Sequence, residues 1–213
     1  MNRGLQISKY VLSDLITASI AWGLFFSYRK IVIESEKYGH QILVSLKDDR
    51  FLQGAIAIPL LWLAFYTILG TYNNIYRKSR LRELGQTLFS TLVGVTFLFF
   101  LLILDDEVID HTTYYKSFGV LFGLHFGLTF IGRFLLSSIT ASKIQSRTIG
   151  FPTLIIGSDE RALELVDDFE SQHRASGNLF VGFLNVKDKS SYVLSEKMPH
   201  LGGVSDLTRV LED

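Results

Sequence analysis

The sequence predicts a membrane all-α four-helix bundle followed by a partial α/β Rossmann-like unit. Four apolar runs are each long enough to cross a bilayer, for which about 20 helical residues suffice. Hydrophobic residues make up 48% of the chain and cluster in its first two-thirds. After residue 146 the sequence becomes mixed and polar, and its apolar residues follow a strand–helix–strand–helix order. The predicted domains are therefore residues 1–145 and 146–213.

The membrane region is defined by four predicted spans. They cover residues 10–28, 51–72, 86–104 and 115–140. The third span, QTLFSTLVGVTFLFFLLIL, contains no charged residue. Buried helices of a soluble core are the alternative, but no amphipathic helices lie between the runs to cover them. The first run is followed by FFSYRK, without a small-x-small cleavage pattern, so we expect an uncleaved anchor rather than a secretory signal.

Basic residues predict the orientation of these spans, because positive loops stay in the cytoplasm. The loop after the second span is basic, whereas the loop after the third, DDEVIDHTT, has only acidic charges. Both termini are therefore predicted to be cytoplasmic. Five basic residues between positions 29 and 50 count against this orientation, since that connection would lie outside. The basic loop residues could also contact anionic lipid headgroups, with a plain topology signal as the alternative: Arg77, Lys78, Arg80 and Arg82.

Composition excludes several classes of function. The formal net charge is zero, so no basic field favours nucleic acid as a partner. Cysteine is absent, which excludes thiol nucleophiles, disulfides and cysteine-based metal sites. The five histidines are scattered without metal-ligand spacing, and no hydrolase, Walker or zinc-protease motif is present. The sequence predicts no catalytic residue and no metal site.

The α/β region begins with a predicted strand over residues 153–156 and a turn at Gly157. A helix over 159–172 and a second strand, NLFVGFLNV, follow. A last helix is predicted after Ser205, which we expect to cap it. The 63 residues from position 151 are about half of what a doubly wound sheet needs, so the unit is expected to be incomplete, with two strands and an exposed edge. The apolar stripe of the first helix is predicted to contain Leu163, Leu165, Val166 and Phe169.

The turn after the first of these strands is the candidate nucleotide site. A dinucleotide fold has a Gly-x-Gly-x-x-Gly or Gly-x-Gly-x-x-Ala turn there, and the pyrophosphate lies on the helix N-terminus. Gly157 and Ala162 match its ends, with Ser158 and Arg161 between them. Asp159 replaces the second glycine, and its carboxylate would repel a phosphate. A structural turn in which Ser158 or Asp159 caps the helix is the alternative.

Three ionisable residues lie inside the predicted spans, where a charge is costly and usually paired. With cytoplasmic termini, Asp14 and Arg133 lie at nearly the same depth, about 6 and 10 Å from one face. We therefore predict that these two side chains form an intramembrane structural pair, with snorkelling of Arg133 as the alternative. His125 is predicted to donate or accept a hydrogen bond across a helix interface. The glycines nearby are predicted to pack closely against another helix: Gly119, Gly123 and Gly127.

The layout resembles the N-terminal half of large bacterial polyprenyl-phosphate sugar-1-phosphate transferases. The residues that carry the resemblance are the loop GTYNNIYRKSRLRELGQTL, a span ending in LDD, and the α/β start PTLIIGSDERALELV. The resemblance implies a multi-pass protein of the bacterial inner membrane whose soluble unit is a CoA-binding-type Rossmann-like domain. It also implies a C-terminal catalytic domain that moves a sugar phosphate from a nucleotide sugar to undecaprenyl phosphate in capsule, exopolysaccharide or O-antigen synthesis.

In that family the catalytic domain and its Mg²⁺ would follow beyond Asp213. The chain is thus expected to be inactive alone and to act as a membrane-anchoring or regulatory portion, or as a truncated product. The partners implied are the lipid bilayer, undecaprenyl phosphate, and the catalytic domain or another polysaccharide-assembly protein. Two alternatives stay open: the N-terminal half of a membrane-anchored nucleotide-sugar dehydratase, and a non-enzymatic scaffold or sensor for polysaccharide assembly.

Overall fold

A computed structural model describes residues 3–40, 45, 48–73, 80–102, 111–172 and 176–212. The chain divides into two compact units, one over residues 2–138 and one over residues 139–213. The described residues are mostly helical and include a small three-stranded parallel sheet. Each unit is described separately below.

Four long helices make up most of the first unit. Helix α1 (Arg3–Tyr28) continues through a π-helical turn (Arg29–Glu34) into the short α2 (Ser35–Tyr38), and is followed by α3, α4 and α5. The remaining bounds are Asp49–Ile68 for α3, Arg80–Leu102 for α4 and His111–Gln145 for α5. In the described part of the chain four helical stretches are long and apolar enough to cross a membrane: Gly4–Tyr38, Asp49–Ile68, Arg80–Leu101 and Thr112–Gln145.

Helix ends differ from the predicted spans for identifiable local reasons. The connection predicted to begin at residue 29 is helical to Tyr38, where Gly39 ends the helix in a left-handed conformation (φ 69°). An ion pair between Lys30 and Glu34, with N and O 2.8 Å apart, supports this extension. Helix α3 ends four residues before the predicted position 72, because Gly70 (φ 63°) turns the chain.

Aromatic side chains fill the interior of the first unit, and glycines on facing helices make room for them. A Cβ atom added at Gly54 would lie 2.1 Å from the Trp22 ring, and one added at Gly94 would lie 2.4 Å from the Trp62 ring. Both indole side chains are at least nine-tenths buried. Close approach at these two glycines lets the helices pack around bulky rings.

The second unit contains the sheet. Strands β1 (Phe151–Ile156), β2 (Asn178–Asn185) and β3 (His200–Gly203) lie in that order, and both neighbouring pairs are parallel. Helix α6 (Glu160–Ser171) connects β1 to β2, and α7 (Leu207–Glu212) follows β3. The core of this unit includes Ile155, Val166, Phe183, Leu194 and Met198.

Three predictions for the second unit are wrong. The sheet has a third strand, β3, where only two strands were predicted. Leu165, assigned to the apolar stripe of α6, is 48% exposed, whereas Ala162 is buried in its place. Ser205 does not cap the last helix: it lies inside a 3₁₀ turn (Val204–Asp206), and the carboxylate of Asp206 accepts a hydrogen bond from the Gly203 N–H. The assignment as a Rossmann-like unit of the CoA-binding type stays a prediction.

Candidate functional site

The candidate site is a cluster of polar side chains buried inside the first unit. Its centre is an ion pair between Asp14 on α1 and Arg133 on α5. The guanidinium donates to both carboxylate oxygens, from Nε to Oδ1 at 2.9 Å and from Nη2 to Oδ2 at 2.8 Å. Each side chain is only 1% exposed. The two residues that the sequence placed at similar depth thus meet in a bidentate contact, the strongest geometry available to these groups.

Neutral polar groups complete the surroundings of this pair. The Tyr72 hydroxyl donates to Asp14 Oδ2 at 2.9 Å, so the carboxylate receives three hydrogen bonds. The guanidinium also donates from Nη1 to the Thr87 hydroxyl at 3.3 Å and lies over the Tyr66 ring, 4.1 Å from its centroid. Helices α1, α4 and α5 and the end of α3 all contribute. A buried charge pair is tolerated when its remaining donors and acceptors are satisfied in this way.

The early end of α3 explains how Tyr72 reaches the pair. The turn after Ile68 is closed by a hydrogen bond from the Thr71 N–H to the Tyr66 carbonyl, 2.9 Å long. Because the chain turns back there instead of continuing as a helix, Tyr72 is nine-tenths buried and points into the bundle. The sequence prediction, which extended the span to position 72, could not place this hydroxyl.

His125 lies in a second buried polar contact. Its Nε2 atom is 2.8 Å from the Tyr66 hydroxyl of α3, and its ring stacks on Trp62 with centroids 3.7 Å apart. The predicted hydrogen bond across a helix interface is therefore present. The predicted close packing of the neighbouring glycines is absent among the described residues, because a Cβ atom added at any of them would have no described atom within 4 Å: Gly119, Gly123 and Gly127. That side of α5 meets no other described helix.

A buried carboxylate that the sequence missed lies on α4. Glu83 is 2% exposed, and its carboxylate interacts with the hydroxyl of Tyr10, which is fully buried. The sequence assigned Glu83 to the basic loop because the predicted span began only at position 86. Helix α4 in fact begins at Arg80, which places this acid inside the bundle.

The predicted lipid-headgroup residues are only partly covered by the structure. Arg77 and Lys78 lie outside the described residues. Arg80 and Arg82 form the first turn of α4 and are both exposed. The Arg80 guanidinium lies over the Phe134 ring, 5.4 Å from its centroid. Headgroup contact by these residues stays a prediction.

The candidate nucleotide turn has the geometry of a capped helix. Gly157 adopts φ 138°, which an L side chain rarely reaches, and its N–H donates to the Leu184 carbonyl at 2.9 Å. The Asp159 side chain accepts a hydrogen bond from the Ala162 N–H at 3.1 Å and caps α6. A carboxylate thus lies where a phosphate would bind. Ser158 is buried and Arg161 is exposed.

Comparisons with known proteins add no family assignment. No protein-family model and no curated protein matches the chain. Within the described residues no group of three or more histidine, aspartate or glutamate side chains is arranged to hold a metal ion. The site is therefore characterised by its own geometry: a satisfied charge pair and its polar neighbours inside an apolar bundle.

Proposed function

We propose that this chain is the membrane-anchoring and regulatory N-terminal portion of a multi-pass sugar transferase of the bacterial inner membrane. The enzyme in question moves a sugar phosphate from a nucleotide sugar to undecaprenyl phosphate in exopolysaccharide, capsule or O-antigen synthesis. The observation that carries the proposal is the layout: four helices long and apolar enough to cross a membrane, followed by a parallel strand–helix–strand unit. This order of elements is what the resemblance to those transferases predicts.

The distribution of polarity in the first unit supports membrane placement. Charged side chains lie inside, where Asp14 and Arg133 are almost fully buried. Large apolar side chains lie outside on α3 and α4, such as Ile56 at 67% exposure and Phe100 at 62%. Soluble proteins rarely expose contiguous apolar surfaces of this kind. In lipid the same arrangement is favourable, because ionisable groups face the bundle interior and pair with each other.

The chemistry of the buried cluster supports an anchoring role. Each oxygen of the central carboxylate is held by donors from the bundle itself, so the pair is arranged to fix helices α1 and α5 in register. The carboxylate at the N-terminus of α6 is likewise occupied in capping its own helix. In this proposal the chain positions the catalytic domain of the transferase at the membrane, both termini of the chain lie in the cytoplasm, and the chain is inactive without that domain.

A transfer assay tests this proposal. Bacterial membranes containing this chain receive a radiolabelled nucleotide sugar and undecaprenyl phosphate, with or without a separately supplied transferase catalytic domain. The proposal predicts no lipid-linked label from the chain alone and more product from the catalytic domain when the chain is present. Lipid-linked label from the chain alone would contradict the anchoring role, and equal product with and without the chain would contradict the regulatory role.

A non-enzymatic scaffold or sensor is the second candidate. The capping of α6 by Asp159 favours it, because a helix N-terminus already occupied by a carboxylate does not attract a nucleotide phosphate. This candidate predicts that the chain co-purifies with a membrane protein of polysaccharide assembly and that the catalytic domain works equally well without it. The transfer assay therefore separates the two candidates.

A further inference from the structure

A cavity of about 420 Å³ lies in the first unit, between the second half of α1, the first half of α3 and the end of α4. Its volume is within the range of small-molecule sites, about 300–1,000 Å³. Trp22 lines the cavity and lies about two turns along α1 from Asp14, so the cavity is separate from the buried ion pair. The apolar residues of its wall are Trp22, Phe26, Ala57, Ile58, Leu61 and Leu101.

The aromatic side of the wall is held in place by contacts within the bundle. The indole N–H of Trp22 donates to the Phe51 carbonyl at 3.2 Å, and the indole ring lies against Gly54, where an added Cβ atom would be 2.1 Å away. Phe26 packs edge-on against the Phe51 ring, with centroids 5.2 Å apart. The small residues of α3 at this level, Gly54 and Ala57, leave the space beside the rings open. The cavity is therefore formed before any ligand enters.

The charged side chains at one end of the cavity interact with each other. Lys30 donates to Glu34 at 2.8 Å and lies 3.6 Å from a carboxylate oxygen of Asp48. Glu34 also attracts Arg29 electrostatically, and Arg50 is exposed. A ligand of this cavity therefore needs no charge of its own, and the apolar wall is the part that would recognise it.

The cavity borders the apolar outer surface of the bundle. Ala57 and Leu101 line it and are both exposed. Large apolar side chains nearby on the same two helices are exposed as well: Ile56, Leu60 and Phe100. In the membrane placement proposed above this surface faces the hydrocarbon of the bilayer, so lipid chains are the molecules next to the opening.

Filling the cavity with hydrocarbon is physically favourable. Voids larger than a water molecule are few in proteins, because the atoms that line them lose dispersion contacts. Water is a poor filler, since a buried water needs about two to four polar partners and the apolar part of the wall provides none. A hydrocarbon chain that enters from the bilayer would restore the missing contacts.

We propose that this cavity binds one hydrocarbon chain of a bilayer lipid without selecting the headgroup of that lipid. The chain lies along Trp22 and Phe26 and enters past Ala57 and Leu101. The inference rests on the membrane placement in the proposed function and on none of the sugar-transfer chemistry.

Fluorescence quenching by phospholipids with brominated acyl chains tests this assignment, because Trp22 is one of two tryptophans in the chain. The other, Trp62, is 1% exposed and is not among the described residues that line the cavity. The protein is reconstituted in vesicles with increasing fractions of brominated lipid. The quenching of Trp22 is the difference between the wild type and Trp22→Phe, and Trp62→Phe, in which Trp22 is the sole tryptophan, gives the same quantity directly.

A bound chain should quench Trp22 with a component that saturates at a low fraction of brominated lipid. Ordinary contact with surrounding lipid would instead increase the quenching gradually over the whole range. We expect brominated phosphatidylglycerol and brominated phosphatidylcholine to reach half-saturation at the same fraction, because the headgroup is not selected.

Substitutions at Ala57 test whether the saturating component comes from the cavity. Ala57→Phe places a ring at the opening and should abolish this component, and Ala57→Leu, a smaller change, should weaken it. Ala64→Phe is the matched control, since Ala64 is exposed on the same helix and is not among the described lining residues, and it should leave the component unchanged.

Three results would overturn the proposal: no saturating component in the wild type, a component that is unchanged in Ala57→Phe, or a component seen with only one of the two headgroups. Failure of the chain to enter vesicles would instead contradict the membrane placement. The failure of this inference and the failure of the proposed function are therefore distinguishable.

Discussion

Replacing the buried ion pair with apolar residues gives the sharpest prediction. The variants are Asp14→Leu, Arg133→Met and the double variant. In either single variant one charge is left buried without its partner, because both side chains are only 1% exposed. Such a change costs about 3–5 kcal/mol in free energy of unfolding. The double variant removes both charges and is expected to be far less destabilised than the sum of the two single variants.

Tyr72 makes the two single variants unequal. Asp14→Leu also removes the acceptor of the Tyr72 hydroxyl, at about 1–3 kcal/mol for the unsatisfied group. In addition, arginine cannot lose its proton in a protein, whereas an orphaned carboxyl group can become neutral. We therefore expect Asp14→Leu to be the more damaging substitution. The double variant retains only the costs of the Tyr72 and Thr87 hydroxyls, which lose an acceptor and a donor, and this gives a coupling energy of about 3 kcal/mol or more.

Reversible unfolding in mixed micelles of increasing SDS content, followed by far-UV circular dichroism, measures these free energies. Leu135→Met, at a 56% exposed position on the same helix as Arg133, serves as the control and should change stability by less than about 0.5 kcal/mol. A coupling energy below about 1 kcal/mol would refute the reasoning, because two residues that stabilise the bundle through each other cannot act independently.

Three further predictions concern local packing and caps. Gly94→Ala should lower the free energy of unfolding by about 1–3 kcal/mol in the same SDS titration, because the added Cβ would lie 2.4 Å from the Trp62 ring. Gly123→Ala, whose Cβ would have no described atom within 4 Å, should leave stability unchanged or raise it. Asp159→Ala should destabilise α6 by about 1 kcal/mol, because the hydrogen bond to the Ala162 N–H is lost, and proteolysis near α6 should become faster. Asp159→Asn should retain most of this stabilisation, because its side-chain oxygen can still accept that hydrogen bond. Tyr66→Phe should cost about 1 kcal/mol by removing the hydrogen bond to His125, and a wild-type stability would contradict that bond.

The central pair of the site could be predicted from the sequence because charges in apolar helices are few. Once the orientation is chosen, the depths of Asp14 and Arg133 follow from the helical rise, and a costly charge requires a partner. The neutral groups around them could not be found in this way. Tyrosine and threonine are common in apolar segments, and the side chains of Tyr72 and Thr87 carry no charge that requires a partner. Their roles depend on where α3 ends, which a hydropathy pattern does not determine.

Two structural features differ from the sequence prediction because they depend on tertiary contacts. Strand β3 has four residues, two of them glycines, so its local sequence has little strand preference and its pairing with β2 comes from tertiary contact. The glycine stripe of α5 has the spacing of a close helix contact, yet the described helices pack against other faces of α5. The spacing of small residues indicates that a helix face could pack closely against another helix. Which face does so depends on where the neighbouring helices lie.

The most direct test of the central claim, that four helices cross a bilayer, is labelling of single cysteines in sealed vesicles. The chain contains no cysteine, so each introduced thiol is unique. Exposed positions near the two ends of the bundle are Lys9, Lys37, Arg82 and Lys116. We predict that a membrane-impermeant maleimide labels Lys9→Cys and Arg82→Cys from one side only, and Lys37→Cys and Lys116→Cys from the opposite side only. Labelling of all four from the same side would contradict the account.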